Sequence, residues 1–516
     1  MRQANLLSHK PAVLLFAVSG LVLPQIALAD VTISTEATAN VVCAGGICSP
    51  TAADAVLNVK DLETLLASGT VEVTTTGSGV QANNIDVAAS LSWSTSSGLT
   101  LDAYQSIDID AGVSVAALSG LTLTTDDGGS GGALTFGSKG NVSFANLSSA
   151  LTINGTAFVL AGDLKTLAAA VAANPNGEYA LASSYDASAD GTYTTDPVET
   201  VLGGEFEGLG NSIKNLSVND AADANVGFFS EVGPGGTLRD LRIVNAKMTG
   251  GNEANEGGLL AGINEGSVFA CQASGNLRRD QSSRHSGGGE FGGLVGYNEQ
   301  GSIANSQASV SVSNAVVAGG LVGGNGATIE NSFALGNVSY RSPSGGVLGG
   351  LAGSNFGVIA VAFSAGNVVS GSKAWVGGLV GYNTETGSIS NAYATGSATT
   401  GSRSSAVAGG LIGLNESSST SSTSYSTGAV SGGNKALVGG SVGYDGGSGE
   451  WSNIYWNTTT SGTDQGTGYG NIAGITGLTS KQLKSGLPAG FDSSIWGQKK
   501  GINRGFPYLL AIQPKK

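Results

Sequence analysis

A Gly-Gly-Leu triplet recurs at residues 257, 292, 319, 349, 377 and 409, preceded by Gly-Phe-Phe at 227 and followed by Gly-Gly-Ser at 439. The steps are 30, 35, 27, 30, 28, 32 and 30 residues. A period held this long leaves few folds open, because a unit so short cannot complete a core alone and must stack on its neighbours. The fullest copy runs Gly377-Gly378-Leu379-Val380-Gly381-Tyr382-Asn383, then Gly387-Ser388-Ile389-Ser390-Asn391-Ala392-Tyr393-Ala394-Thr395-Gly396. It holds two or three short strand candidates parted by Gly and Asn, residues that tolerate positive φ at corners. No segment of the unit suits a helix of several turns or a free-standing hairpin. The expected fold is all-β, a right-handed parallel β-helix (β-solenoid) of about 30-residue repeats with a short helix packed on its side.

Stacked coils place like residues above one another at about 4.8 Å, so ladders should recur in phase. Asn264, Asn298, Asn325, Asn355, Asn383 and Asn415 follow the triplet, with Asp445 in the last copy. They read as turn-stabilising amides that bond rung to rung; sugar binding or metal coordination is the functional alternative. Leu259, Leu294, Leu321, Leu351, Leu379 and Leu411 form an aliphatic column. Phe333, Phe363, Tyr393, Tyr425 and Tyr455 form an aromatic one at steps of 30, 30, 32 and 30. Periodicity does not distinguish a column packed in the core from an outward platform for stacking on sugars.

The repeated Gly-Gly-Leu-Val-Gly-x-Asn and Gly-Ser-Ile-x-Asn-Ser/Ala-x-Ala-x-Gly over residues 201–460 resembles the GLUG repeat. That repeat occurs in large bacterial surface proteins and, outside the catalytic domains, in some immunoglobulin-cleaving metalloproteases. The resemblance implies a β-helical, adhesion-associated module and no catalytic residue. Upstream, Ser97-Gly98-Leu99-Thr100-Leu101 returns as Ser119-Gly120-Leu121-Thr122-Leu123, 22 residues on. This stretch, through Asp126-Asp127-Gly128-Gly129 and Val142-Ser143-Phe144, resembles filamentous-haemagglutinin-type exoproteins and implies narrower coils and an outer-membrane secretion partner. Residues 163–173 have helical spacing with Pro175 beyond their end, and Asn174-Pro175-Asn176-Gly177 reads as a turn. The expected order is signal peptide 1–29, N-terminal cap 30–85, haemagglutinin-like coils 86–160, helix-containing connector 161–200, GLUG coils 201–460 and C-terminal cap 461–516.

The signal reading rests on Arg2 and Lys10, the apolar run Pro11–Leu23 and Ala27-Leu28-Ala29 before Asp30. Removing Arg2 and Lys10 from 23 basic residues leaves 21 against 37 acidic, a net charge of −16 that disfavours nucleic acid. The expected location is secreted or cell-surface, with no later run apolar enough to span a bilayer. In an oxidising compartment Cys43 and Cys48 can close a small disulfide loop, and Cys271 reads as a buried apolar residue. No metal or other cofactor is expected, since too few His and Cys cluster to complete a shell. Arg278, Arg279, Arg284 and His285 form the one local charge cluster, read as a solvated insert with ligand contact as its alternative. The expected function is an adhesin-like rod attaching to a surface, glycan or matrix. The alternatives are a carbohydrate-active β-helix enzyme drawing on Asp108, Asp110, Asp126 and Asp127, and a self-associating matrix component.

Overall fold

The computed structural model describes residues 30–251, 255–280, 289–341, 345–371, 373–403, 405–416, 418–470 and 472–513. The expected signal segment, Arg284 and His285 lie outside the described residues.

In the coil opening at Trp375 the chain runs through Trp375–Gly377, turns at Gly378-Leu379, and continues as Val380–Asn383. A third strand, Ser388–Ala394, leads to a short return, Ala398–Thr399. The fourth strand is an addition to the two or three expected; at two or three residues in these coils it is too short to show alternation. Successive coils pair in parallel, with Gly319, Gly349, Gly377, Gly409 and Gly439 in register. The first and second strands build two eight-stranded parallel sheets, and the long third strands belong to a 29-stranded composite that runs through the whole molecule. The molecule is a parallel β-solenoid.

The glycine pair follows from space at the first corner. A Cβ on Gly377 would stand 1.8 Å from the Val380 carbonyl oxygen of its own coil, and one on Gly378 would stand 2.1 Å from the Gly410 oxygen of the next. Leu294, Leu321, Leu351, Leu379 and Leu411 fill the interior beside that corner and are fully buried. The rung before them is Leu260, whose amide donates to the Leu294 carbonyl. The expected Leu259, also buried, falls one residue out of register because the 257 copy carries an extra residue before Asn264. Each such side chain contributes roughly 1.5–3 kcal/mol by leaving water.

Upstream, shorter coils stack in the same manner. Leu99 pairs with Leu121 and Leu121 with Leu151, so the 22-residue recurrence is one coil. A helix absent from the sequence reading, α1 (Val59–Ser68), buries Val59, Leu62 and Leu66, and the Asn58 side chain caps it by accepting from the Lys60 amide. The second helix, α2 (Leu164–Ala173), has the Asp163 cap and buries Leu164, Leu167 and Val171. Cys43 and Cys48 face each other across an antiparallel hairpin and form a disulfide.

The buried apolar residues form one core under the upstream coils, a second running from Ala161 to Ile454, and a third that is separate. The third holds Phe363, Tyr393, Tyr425 and Tyr455 with Leu483, Phe491, Trp496, Phe506, Leu509 and Ile512. Ile389, Ala392 and Ala394 of the same long strand belong to the second core. The aromatic column therefore stands outside the coil, and the chain beyond residue 479 folds back along the rod to cover it.

Candidate functional site

The long strands carry alternate residues to opposite faces, so whatever follows an inward residue in the pattern points out. Register extends the outward aromatic column into a single file. Arg242 pairs with Gln272, Gln272 with Gln307, Gln307 with Phe333, and Phe333 with Phe363. Tyr393, Tyr425 and Tyr455 complete it. The rings of Phe333 and Phe363 stack at 4.6 Å and 5°, those of Phe363 and Tyr393 at 4.8 Å and 4°, and those of Tyr393 and Tyr425 at 5.2 Å and 11°. Below them the amides stack as well, the Gln307 Nε2 donating to the Gln272 Oε1 at 2.6 Å. At the foot of the file the Arg242 guanidinium donates to the carbonyls of Gly210 and Gly137, which pins it to the upstream coils.

The returning C-terminal segment sheathes half of this file. The Trp496 indole packs on Tyr393 and Tyr425, and its Nε1 donates to the Asn391 Oδ1 at 3.0 Å. The Tyr425 hydroxyl donates to the Pro507 carbonyl and accepts from Asn503 at 2.8 Å, and the Tyr455 hydroxyl donates to the Ala489 carbonyl. Beyond Asn503 the cover stops. There an open groove of about 460 Å³ runs over Gln272, Gln307, Phe333, Phe363 and Tyr393, with Arg242 at one end and Asn503 at the other. Leu335 and Val244 form exposed apolar rims. The Tyr393 hydroxyl is buried at the covered end and has no hydrogen-bond partner. Burial pushes that hydroxyl's pKa up, so it stays a neutral donor. The ring faces are taken up by the stack and Phe363 is buried, so the groove presents ring edges, chiefly that of the half-buried Phe333, beside amide donors and acceptors. Such a lining suits a ligand with apolar C–H groups and hydroxyls.

The asparagine ladder has a different place. Asn264, Asn298, Asn325, Asn355, Asn383 and Asn415 are fully buried in the solenoid. Each Nδ2 donates to the Oδ1 of the next, at 2.7, 2.8, 2.8, 2.8 and 3.1 Å, and Asn415 donates to Asp445 at 2.9 Å. Of the charged insert, Arg279 is buried and Arg278 is exposed on the surface past a bend in its strand.

The four aspartates considered for catalysis fall into separate groups. Asp108 pairs in register with Asp86, whose carboxyl is pushed up to about 6 by burial and then by Asp110, Asp108 and Asp30. Asp127 belongs with Asp102, also raised to about 6, by burial first and then by Asp127 and Glu72. Asp126 is exposed and accepts from the Gly132 amide. Among the described residues no three Asp, Glu, His or Cys side chains gather as a metal cage, and no helix is long and apolar enough to cross a membrane.

The glutamines and Arg242 were missed by sequence reasoning, although Gln272 and Gln307 precede the same Ala-Ser pair and lie in phase with the aromatics. A second outward set, Tyr297, Tyr382 and Tyr444, occupies the position before the ladder asparagine or Asp445, and Trp375 packs on Tyr382 at 5.1 Å. Their signal was the Gly-Tyr-Asn/Asp of the repeat.

The GLUG motif model matches residues 287–313 and 376–399, so the chain carries GLUG repeats. Over 100 residues, 19% of this chain and 1% of the relative, it is 37% identical to halomucin of Haloquadratum walsbyi. The chain thus spans about a hundredth of that relative. Among solved structures, an IgA1 protease aligns with 60% of this chain and 20% of its own at 19% identity and TM-score 0.32. A Bacteroides ovatus protein provisionally described as an immunoglobulin A1 protease aligns with 69% of this chain and 92% of its own, at 16% identity and TM-score 0.33.

Proposed function

We propose that this GLUG-repeat solenoid is a secreted or surface-displayed adhesin-like rod that attaches to glycan, through the open groove at Gln272, Gln307, Phe333 and Phe363. The observation that carries the reading is the uncovered end of the outward file, where the half-buried Phe333 ring gives way to half-buried, stacked amides in one groove of about 460 Å³. The surface role draws further support from the GLUG motif and the halomucin likeness. Retention is favoured over cleavage at this groove because no Asp or Glu is among its lining residues, while glycosidic hydrolysis uses two carboxyl groups. Export through the signal segment and a secretion partner in the outer membrane belong to the same proposal.

A glycan array and whole-cell binding assay, with polysaccharide chain length followed in the same samples, tests it. Retention without shortening, lost in Phe333→Ala and Gln307→Ala, is the expected result. Shortened chains would overturn it in favour of a carbohydrate-active enzyme and redirect work to Asp86, Asp108 and Asp110. Self-association without any glycan retention would favour the matrix component.

A further inference from the structure

The strands Arg242–Gly250 and Gln272–Arg279 serve two faces of the rod. Asn245 bends the first of them in the left-handed region, φ +56°, and Gly275 does the same in the next coil at φ +142°. Residues before the bend line the aromatic groove; residues after it line another of about 570 Å³.

Two outward files make this second groove. Ser217, Lys247, Asn276 and Ser311 stand in register in one, and Asn219, Thr249, Arg278 and Ser313 in the other. Met248, Val218, Leu277 and Val312 alternate with them and are buried in the core, which fixes the polar set outward. Lys247 and Arg278 are exposed on neighbouring rungs, in a lining that contains hydroxyls and amides but no carboxylate. Such a lining is unusual on a chain with 37 acidic and 23 basic residues. Nearby acids are turned to other partners: Asp220 is buried and accepts from the Ala222 and Asp223 amides, and Asp190 accepts from the Tyr185 and Tyr193 hydroxyls.

We infer that this groove binds an acidic polysaccharide, a chain carrying uronate or sulfate groups. Lys247 and Arg278 pair with the anions while the Ser, Thr and Asn side chains bond the sugar hydroxyls. The same lining argues against nucleic acid, because it offers no ring for a base to stack on, whereas a sugar chain needs none. This is a site separate from the aromatic groove, and it stands or falls without it.

The test is binding of the full chain to polygalacturonate, dextran sulfate and neutral dextran at low and high salt, with inorganic sulfate as competitor. The variants are K247Q/R278Q in the second groove, Phe333→Ala in the first, and Lys214→Gln as an exposed control outside both. All alter side chains exposed wholly or in part, and far-UV circular dichroism confirms that each folds. The expected result is binding of the acidic polymers that salt weakens, a loss of roughly tenfold or more in K247Q/R278Q, and no change in F333A or K214Q. Unchanged affinity in K247Q/R278Q, equal binding of neutral dextran, or full displacement by sulfate at equal charge would overturn it. Loss of neutral-glycan retention in F333A alone reports on the first groove only.

Discussion

At the residue scale the repeat is held by positions where the backbone tolerates few side chains. One is the turn inside each long strand, where Asn331, Asn391 and Asn453 sit in the left-handed region at φ +48°, +49° and +54°. Two copies depart: Val361 and Thr423 adopt φ +49° and +46° there. A β-branched residue in that region is strained by roughly 1–2 kcal/mol, whereas Asn is among the residues that enter it readily. Val361→Asn should therefore stabilise the rod by about 1 kcal/mol, and Asn331→Val should destabilise it by a similar amount; urea unfolding midpoints of both variants check the pair. Burial acts on a second residue, Asp196, whose carboxyl is pushed up to about 8 by burial, and then by Asp220, Asp223 and Glu199, against the lowering bond from the Gly227 amide. The folded state thus holds this proton more tightly than the unfolded chain. Its contribution is present below the unfolded carboxylate range, near pH 4, and is lost as pH rises towards 8, by at most about 1.4 kcal/mol per pH unit. Asp196→Asn should flatten the fall in stability between pH 5 and 8, and an unchanged slope in denaturation at those two values would refute the assignment.

At the scale of elements, what was legible in the sequence was whatever repeats. The glycine pair, the leucine column and the asparagine ladder each recur once per coil, and stacking turns recurrence into contact, so their partners could be written down from spacing. The exception is the 257 copy, where one extra residue puts Gly258 against Gly292 and Leu260 rather than Leu259 against Leu294. Elements that occur once gave no such phase. α1 has an amphipathic face and an Asn58 cap, yet it lies where the chain was read only as a cap. The tail was expected to close the end of the stack; its strand Ile475–Leu478 does extend the long sheet by pairing with Trp451–Asn457, but the residues that follow turn back along the side. The direction of the aromatic column depended on that return, since rings exposed on a bare sheet would otherwise face water. Trp496, 1% exposed, is the residue that clamps the return, touching Tyr393, Tyr425 and Phe491. Trp496→Ala should weaken docking of the tail by about 3–5 kcal/mol while the coils, whose own core lies elsewhere, stay folded. Limited proteolysis should then cut within the last forty or so residues with far-UV circular dichroism nearly unchanged. Loss of the whole β signal would show instead that the tail is part of one cooperative unit with the rod.

At the scale of the molecule, a stack with nearest-neighbour contacts behaves as a one-dimensional array, in which each coil adds its own stability and one interface. The continuous spines make this testable, because their registers tolerate the loss of whole coils and nothing smaller. Removing residues 378–409 joins Gly377 to Gly410 and leaves every ladder in phase, with Asn355 meeting Asn415 and Phe363 meeting Tyr425. Removing 378–393 alone sets Gly377 before Ala394, deletes the Leu379 and Asn383 rungs, and brings a long-strand end to the corner where only a Gly-Gly pair has room. The first deletion should give a folded rod with thermal unfolding lowered by only a few degrees, and the second a chain without a cooperative transition. Both open grooves lie on the coils before residue 378 except for Tyr393, Thr395 and Asn503 at one end of the aromatic one. The whole-coil deletion should accordingly keep the acidic-polymer binding assigned to Lys247 and Arg278 while altering retention at the aromatic groove, a separation that a molecule folding as a single indivisible core would not show.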